Sequence, residues 1–226
     1  MRDAAHYTRG RLSREAVHTL YGRSITLSAS RMDKARSCHF AYFMQYGLRA
    51  KERTAAGFDA PQVGTFVHDV MEHTLRAARA RGGHKALERP ALHVLVRQAI
   101  GAYIEKNLPD LDGKNARFRY LFRRLCESVY RIMDSTVEEL SDSDFEPLAF
   151  ELGFGGKDGQ LPAVTITEGD QRLSVSGKVD RVDGWLHDGR LYLRVVDYKT
   201  GKKSFALSDL RYGLGIQMLL YLFTLE

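Results

Sequence analysis

Asp180, Asp197 and Lys199 carry side chains whose types and spacing suit phosphodiester chemistry. Asp180 closes the alternating run Val175, Gly177, Val179. Asp197 closes the run Leu193, Val195, Val196, and Lys199 follows two residues later. Residues i and i+2 of a strand share a face, so Asp197 and Lys199 project together. A hairpin turning between Leu186 and Gly189 brings Asp180 beside Asp197. Two carboxylates at that spacing repel unless a positive charge lies between them. A hard divalent cation such as Mg²⁺, or Mn²⁺ in its place, supplies that charge, taking one or two carboxylates and keeping several waters. The backbone carbonyl of Tyr198 is placed as a further ligand. Lys199 beside such an ion orients or helps deprotonate an attacking water and stabilises charge on a phosphoryl group. An Asp-x-Lys triplet by itself is a weak signal that more often marks a surface ion pair at a strand end, and that reading stays open here.

Gln217 and Tyr221 lie four residues apart, on one face of an otherwise apolar helix. An amide and a phenol there need partners if buried. They either complete the site or satisfy each other in the core.

The elements that must hold these residues follow from periodicity. Ser28-Ala29-Ser30 reads as a helix N-cap and first turn. The aromatic segment Cys38–Leu48 reads as a short helix with Gly47 as its C′ residue. Glu52 to Pro61 reads as a loop. Apolar residues at helical spacing predict a helix from Gly64 to Arg81, stopped by Gly82-Gly83, and two more over Pro90–Asn107 and Asn115–Leu140. The period then shortens to two. Leu148–Phe154, Ala163–Thr167, Leu173–Asp183 and Leu191–Asp197 read as four strands of an antiparallel meander. Leu207–Leu225 reads as a final helix. Its second half is strongly apolar, which implies a fragment of a longer protein or a partner that covers this face.

Hydrophobic residues make up 44% and charged residues 27%, a globular composition rather than a disordered one. No apolar run approaches the ~20 residues of a membrane span, and Met1–Gly10 lacks the apolar core of a secretory signal, so the expected location is cytoplasmic. Net charge is +6, and the first 60 residues account for it, with eleven Lys/Arg against five Asp/Glu. A second basic stretch holds Lys114, Arg117, Arg119, Arg123, Arg124 and Arg131. Such clusters suit a polyanion, or are a solvated helix face. The two cysteines, Cys38 and Cys126, make neither a disulfide framework nor a complete metal site.

Taken together, Gly177-x-Val179-Asp180-Arg181, Asp197-Tyr198-Lys199-Thr200-Gly201 and Gln217-x-x-x-Tyr221 resemble the motifs of RecB-type nucleases in the PD-(D/E)XK superfamily. Within that family the chain is most similar to the C-terminal nuclease domain of AddB-type helicase–nuclease subunits. The segments Leu27–Phe43, Tyr46-Gly47-Leu48 and Tyr212–Gln217 extend the likeness, which runs from about Leu20 to the end. The resemblance implies an α/β (α+β) fold, with a central mixed sheet flanked by helices and an N-terminal helical extension. It divides the chain into a helical segment, residues 1–62, and a nuclease core, residues 63–226, truncated at its C-terminus. It implies catalytic roles for Lys199, Asp197, Asp180, Gln217 and Tyr221. Gly64-x-x-x-His68 matches the family's helix motif, making His68 a metal ligand alongside Asp180, Asp197 and Tyr198. Glu72, four residues on, and Glu151, on the first strand of the meander, are expected to support the ligands, with a structural ion pair the other reading of Glu151.

Family members often carry a four-cysteine 4Fe–4S cluster. Cys38 matches its first ligand, and the other three would need a longer chain, so this chain alone is not expected to hold one. His39 stands where the family often has proline. Cys126 matches no family position and reads as a buried structural thiol. The implied activity is metal-dependent, exonuclease-type hydrolysis of single-stranded DNA inside a helicase–nuclease serving double-strand-break repair by homologous recombination. No phosphate-binding G-x-x-x-x-G-K-[ST] loop is present, so the ATPase belongs elsewhere, with an AddA-like helicase subunit as partner. Two alternatives are an inactive nuclease-like module that binds DNA or a partner, and a stand-alone restriction-type or CRISPR-associated nuclease. The aromatic segment around Cys38 favours the AddB-like reading.

Overall fold

The computed structural model describes residues 10–51, 60–156, 159–199 and 206–225. The N-terminal part holds α1 (Arg14–Tyr21), β1 (Ser24–Leu27), α2 (Ala29–Ser37) and α3 (His39–Tyr42), the last running into a π-helical turn, Phe43–Gly47. Ser28 caps α2 as expected, accepting from the Arg31 amide. Gly47 is not the left-handed C′ residue expected of it. It ends the π turn, and the positive φ falls on Arg49 (56°). Gly47 is small for a different reason: a Cβ there would meet the Tyr21 hydroxyl at 2.7 Å. Residues 14–27, for which the sequence predicted no element, supply α1 and β1.

Three helices follow: α4 (Ala60–Arg79), α5 (Arg89–Asn107) and α6 (Ala116–Ser141). Helix α4 starts four residues before the predicted Gly64, so Ala60 and Pro61 are helical rather than looped, while the rest of the predicted loop lies outside the described residues. Proline is tolerated in a first turn because its missing N–H has no partner there. Gly82-Gly83 follow α4, and the Gly83 amide bonds back to the Ala78 carbonyl. Asn115 caps α6 by accepting from the Phe118 amide at 2.8 Å. The three helices pack through Phe66, Val70, Met71, Val96, Val129, Met133 and Leu140, with Phe150 from the sheet closing the cluster. Side chains so fully buried each stabilise by about 1.5–3 kcal/mol.

The strands are β2 (Glu146–Phe154), β3 (Val164–Glu168), β4 (Gln171–Val175), β5 (Gly177–His187) and β6 (Arg190–Val196). They do not form one four-stranded meander. One sheet has the order β1-β4-β3, with β1 parallel to β4. The other has the order β2-β5-β6 and is antiparallel. The predicted strand Leu173–Asp183 breaks at Ser176, whose amide bonds to the Leu27 carbonyl at the end of β1. Upstream of that residue the chain pairs with β1 and β3, and downstream with β2 and β6. Gly177 permits the crossing, because a Cβ there would meet the Phe154 ring at 2.7 Å. The predicted hairpin is present, with Asp188 (φ 49°) and Gly189 (φ 72°) at its turn and His187 opposite Arg190.

The last predicted helix is two: α7 (Leu207–Leu210) and α8 (Gln217–Leu225). Gly213 (φ 71°) and Gly215 (φ 65°) break it. The Gly215 amide bonds to Asp33 of α2 at 3.0 Å, and Arg36 donates to the Tyr212 carbonyl at 2.9 Å. Among the described residues, no helix is long and apolar enough to cross a membrane.

Candidate active site

The site begins in the register of the second sheet. Phe150 pairs with Arg181 and Leu152 with Val179, which places Glu151 opposite Asp180. On the other side Arg181 pairs with Val196. One further step brings Asp180 opposite Asp197, just past the end of β6. Directly opposed residues share a face, so the ladder sets Glu151, Asp180 and Asp197 in a row. Asp180 does not end its strand, as the sequence suggested. It lies inside β5, which runs on to His187, and is 8% exposed. Glu151 has φ +51°, a left-handed backbone that costs a non-glycine residue in mid-strand and is typical of functional positions.

Helix α4 lays His68 over this row. Its Nδ1 lies 3.3 Å from Asp180 Oδ1 and 3.9 Å from Glu151 Oε1. Its Nε2 lies 3.0 Å from the Tyr198 carbonyl. A carbonyl only accepts, so Nε2 carries the hydrogen, and Nδ1 of the neutral ring turns a lone pair toward two carboxylates. That arrangement calls for a positive charge. The hydrogen bond with Asp180 accordingly raises the His68 pKa, against an opposing effect of burial. One ligand atom each from His68, Glu151 and Asp180 lies within 4.8 Å of the others. Around an ion of Mg²⁺ size, ligand atoms stand about 3–4 Å apart. Two hard carboxylates and an imidazole lone pair at this spacing fit a divalent cation. Lys178 anchors the outer oxygen of Glu151 at 3.1 Å.

The segment after β6 completes the cluster. The Tyr198 amide donates to Asp180 Oδ2 at 2.6 Å, and Lys199 Nζ lies 2.6 Å from Asp197 Oδ2. Asp197 and Lys199 therefore do project together, as an ion pair. From α8, the Gln217 amide nitrogen donates both hydrogens, one to Asp197 Oδ1 at 2.8 Å and one to the Tyr221 hydroxyl oxygen at 2.6 Å. Asp197 only accepts, which fixes the orientation of the Gln217 amide. Burial first, then the charges of Asp197, Asp180 and Glu151, pushes the Tyr221 phenol up to about 12 despite the Gln217 bond. It remains a neutral donor at ordinary pH. Gln217 and Tyr221 thus satisfy each other and reach the site as well. Thr200 and Gly201 of the motif lie outside the described residues.

One part of the site went unassigned in the sequence, where Arg181 stands only as a position of the Gly177-x-Val179-Asp180-Arg181 motif and Asp183 only as part of a strand. Arg181 and Asp183 are 1% and 0% exposed. Arg181 donates to both Asp183 oxygens at 2.8 and 3.0 Å and to the Tyr198 hydroxyl at 2.7 Å. Arg194 donates to Asp183 from the other side and reaches Glu139 on α6 at 2.9 Å. Burial works against the Arg181 charge, but Tyr198 and Asp183 hold its pKa above the arginine norm. Burial pushes the Tyr198 phenol up to about 12, with Arg181 opposing.

Glu72 and Cys38 have partners of their own. Glu72 pairs with Arg76 at 2.9 Å, and Arg76 in turn donates to the Phe150 carbonyl. Arg76 thus links Glu72 to the strand that carries Glu151. Cys38 is exposed and caps α3 through the Ala41 amide.

The PD-(D/E)XK nuclease superfamily profile matches residues 26–226. The chain belongs to that superfamily. Its curated relatives include proteins named as B-type subunits of an ATP-dependent helicase/deoxyribonuclease. The one from Acetivibrio thermocellus is 38% identical over 213 residues, covering 93% of this chain and 18% of that protein. The one from Clostridium tetani is 33% identical over 212 residues, covering 91% and 18%. The one from Pelotomaculum thermopropionicum is 35% identical over 205 residues, covering 90% and 18%. The chain thus spans about a fifth of the length of these relatives. The AddB-type likeness read from the motifs and the α/β fold both hold for this PD-(D/E)XK chain.

Proposed function

We propose that this chain is the nuclease unit of an AddB-type helicase–nuclease subunit and hydrolyses phosphodiester bonds of single-stranded DNA with the help of Mg²⁺, or Mn²⁺ in its place. The observation that carries this reading is the convergence of His68, Glu151 and Asp180 within 4.8 Å, beside an Asp197–Lys199 pair tied to them through the Tyr198 peptide. When bound, the cation supplies Lewis-acid polarisation and acidification of a water. His68, Glu151 and Asp180 would hold it, next to Asp197, which Lys199 and Gln217 engage, and the Tyr198 carbonyl, which accepts from His68 Nε2. Lys199 leaves Asp197 for a non-bridging phosphate oxygen, stabilising the charge that builds there, and orients the attacking water. Gln217 holds Asp197 in place and leaves the Tyr221 hydroxyl proton free to donate.

The wider setting belongs to the same reading: an exonuclease acting with an AddA-like helicase subunit in double-strand-break repair by homologous recombination, in the cytoplasm. Cys38 would be the first ligand of a 4Fe–4S cluster in a longer chain, within an N-terminal helical unit preceding the nuclease core. The test is cleavage of a single-stranded oligonucleotide. Mg²⁺ or Mn²⁺ should support it and EDTA abolish it. Asp197→Ala and Lys199→Ala should each cost at least about 10²-fold in kcat, with circular dichroism unchanged. Undiminished wild-type cleavage in EDTA would sink the mechanism.

A further inference from the structure

The Asp197-Tyr198-Lys199 tripeptide lies just beyond β6, which ends at Val196. No ladder hydrogen bond therefore holds the Tyr198 peptide. Its amide and carbonyl both go to side chains, Asp180 at 2.6 Å and His68 at 3.0 Å. The side chain of Tyr198 adds anchors of its own. Its ring packs against the helical core and edge-on to His68, and its hydroxyl accepts from Arg181. Arg181 is itself buried and held in two-pronged fashion by the fully buried Asp183, which Arg194 grips from the far side. A buried ion pair of this kind adds little stability compared with apolar side chains of the same volume. Its geometric effect is larger: it sets the position of one phenol oxygen.

We infer that Arg181, Asp183 and the Tyr198 phenol are positioning residues for the site proposed above. They pin the middle residue of the tripeptide, so that its backbone aims Asp180 and the His68 ring while its neighbours Asp197 and Lys199 are held on either side. The inference rests on the functional reading for its purpose, but the clamp itself is testable without metal.

Arg181→Met leaves Asp183 paired with Arg194 alone and endangers the fold, so the deciding variant is Tyr198→Phe, which deletes one oxygen. The first measurement is the ¹⁵N spectrum of the His68 imidazole in the metal-free full chain at alkaline pH. Wild type should show the hydrogen on Nε2. Tyr198→Phe should show a mixture of tautomers, with the thermal midpoint little changed. The second is a titration with Mn²⁺ alone. The variant should bind about tenfold more weakly, as loss of an outer partner does at other metal sites, and should lose kcat while KM for the oligonucleotide stays put. A Tyr198→Phe protein with the wild-type His68 spectrum overturns the inference, as does one with wild-type Mn²⁺ affinity. If wild type itself binds no Mn²⁺, the functional reading fails, and the imidazole spectrum still decides the clamp.

Discussion

Glu72 and Glu151 were both expected to support the site, and the structure gives them different environments. Glu151 Oε1 lies 3.9 Å from His68, on a strained backbone opposite Asp180. Glu72 is spent on Arg76. Glu151→Gln should therefore weaken Mn²⁺ binding about tenfold or more, because it removes a charged oxygen donor, whereas Glu72→Gln should leave it within about twofold. Isothermal titration of the two variants decides this, and equal losses would move Glu72 into the cation's own surroundings. The two thiols also differ. Burial pushes Cys126 up to about 11, so little thiolate is present at neutral pH, while Cys38 is exposed. Thiolate is the reactive form. A native thiol titration should count one fast cysteine, and a denatured one two.

At the scale of elements, α5 and α6 are joined by Arg89 and His93, both bonded to Asp134. Burial works against the Asp134 carboxylate, yet Arg89 and His93 hold its pKa below the usual value. A carboxyl lowered in the folded state adds stability above its unfolded pKa of ~3.9 and loses it as pH falls through the folded value. Asp134→Asn should cost about 1 kcal/mol in urea denaturation at neutral pH. That difference should shrink toward zero as pH drops below about 4, and a pH-independent difference would reject the linkage. Helix α8 depends on a different contact. Asp33 and Arg36 of α2 hold the Tyr212–Gly215 turn, which presents Gln217 to Asp197. The two segments that extended the family likeness, around Cys38 and around Tyr212, are thus contact partners.

Across the whole molecule, charge is the feature left over from the site. Lys114, Arg117, Arg119, Arg123 and Arg124 are exposed around the first turns of α6, whose first turn contains no acidic residue. Cations at a helix N-terminus oppose its dipole. Arg123 lies over the half-exposed Tyr120 ring, a pairing of cation and stacking surface that suits single strands. On the same helix Phe122 packs 5.1 Å from Phe66, two residues from His68 along α4. If this face meets the DNA backbone, Arg117→Glu with Arg124→Glu should weaken oligonucleotide binding. It should also flatten the plot of log affinity against log salt by roughly 0.7 for each phosphate no longer neutralised. An unchanged slope would make it a solvated face.

The sequence alone determined the three long helices, the β5–β6 hairpin and the shared projection of Asp197 and Lys199. Those rest on local rules: a period of 3.6 or 2, a turn whose glycine takes positive φ, and the shared face of i and i+2. Pairing across the chain lay beyond such rules. Strand β1 has only four residues and is defined by a partner nearly 150 positions away, so the division into two sheets at Ser176 could not be read locally. The glycines at 213 and 215 were legible as residues but not as the break between α7 and α8, because that break depends on Asp33. Arg181 and Asp183 alternate along β5 as a solvent-facing pair would, and only the tertiary structure shows them buried. Charges enter a core when each finds its partner there, and the partners, Tyr198 and Arg194, are brought by folding.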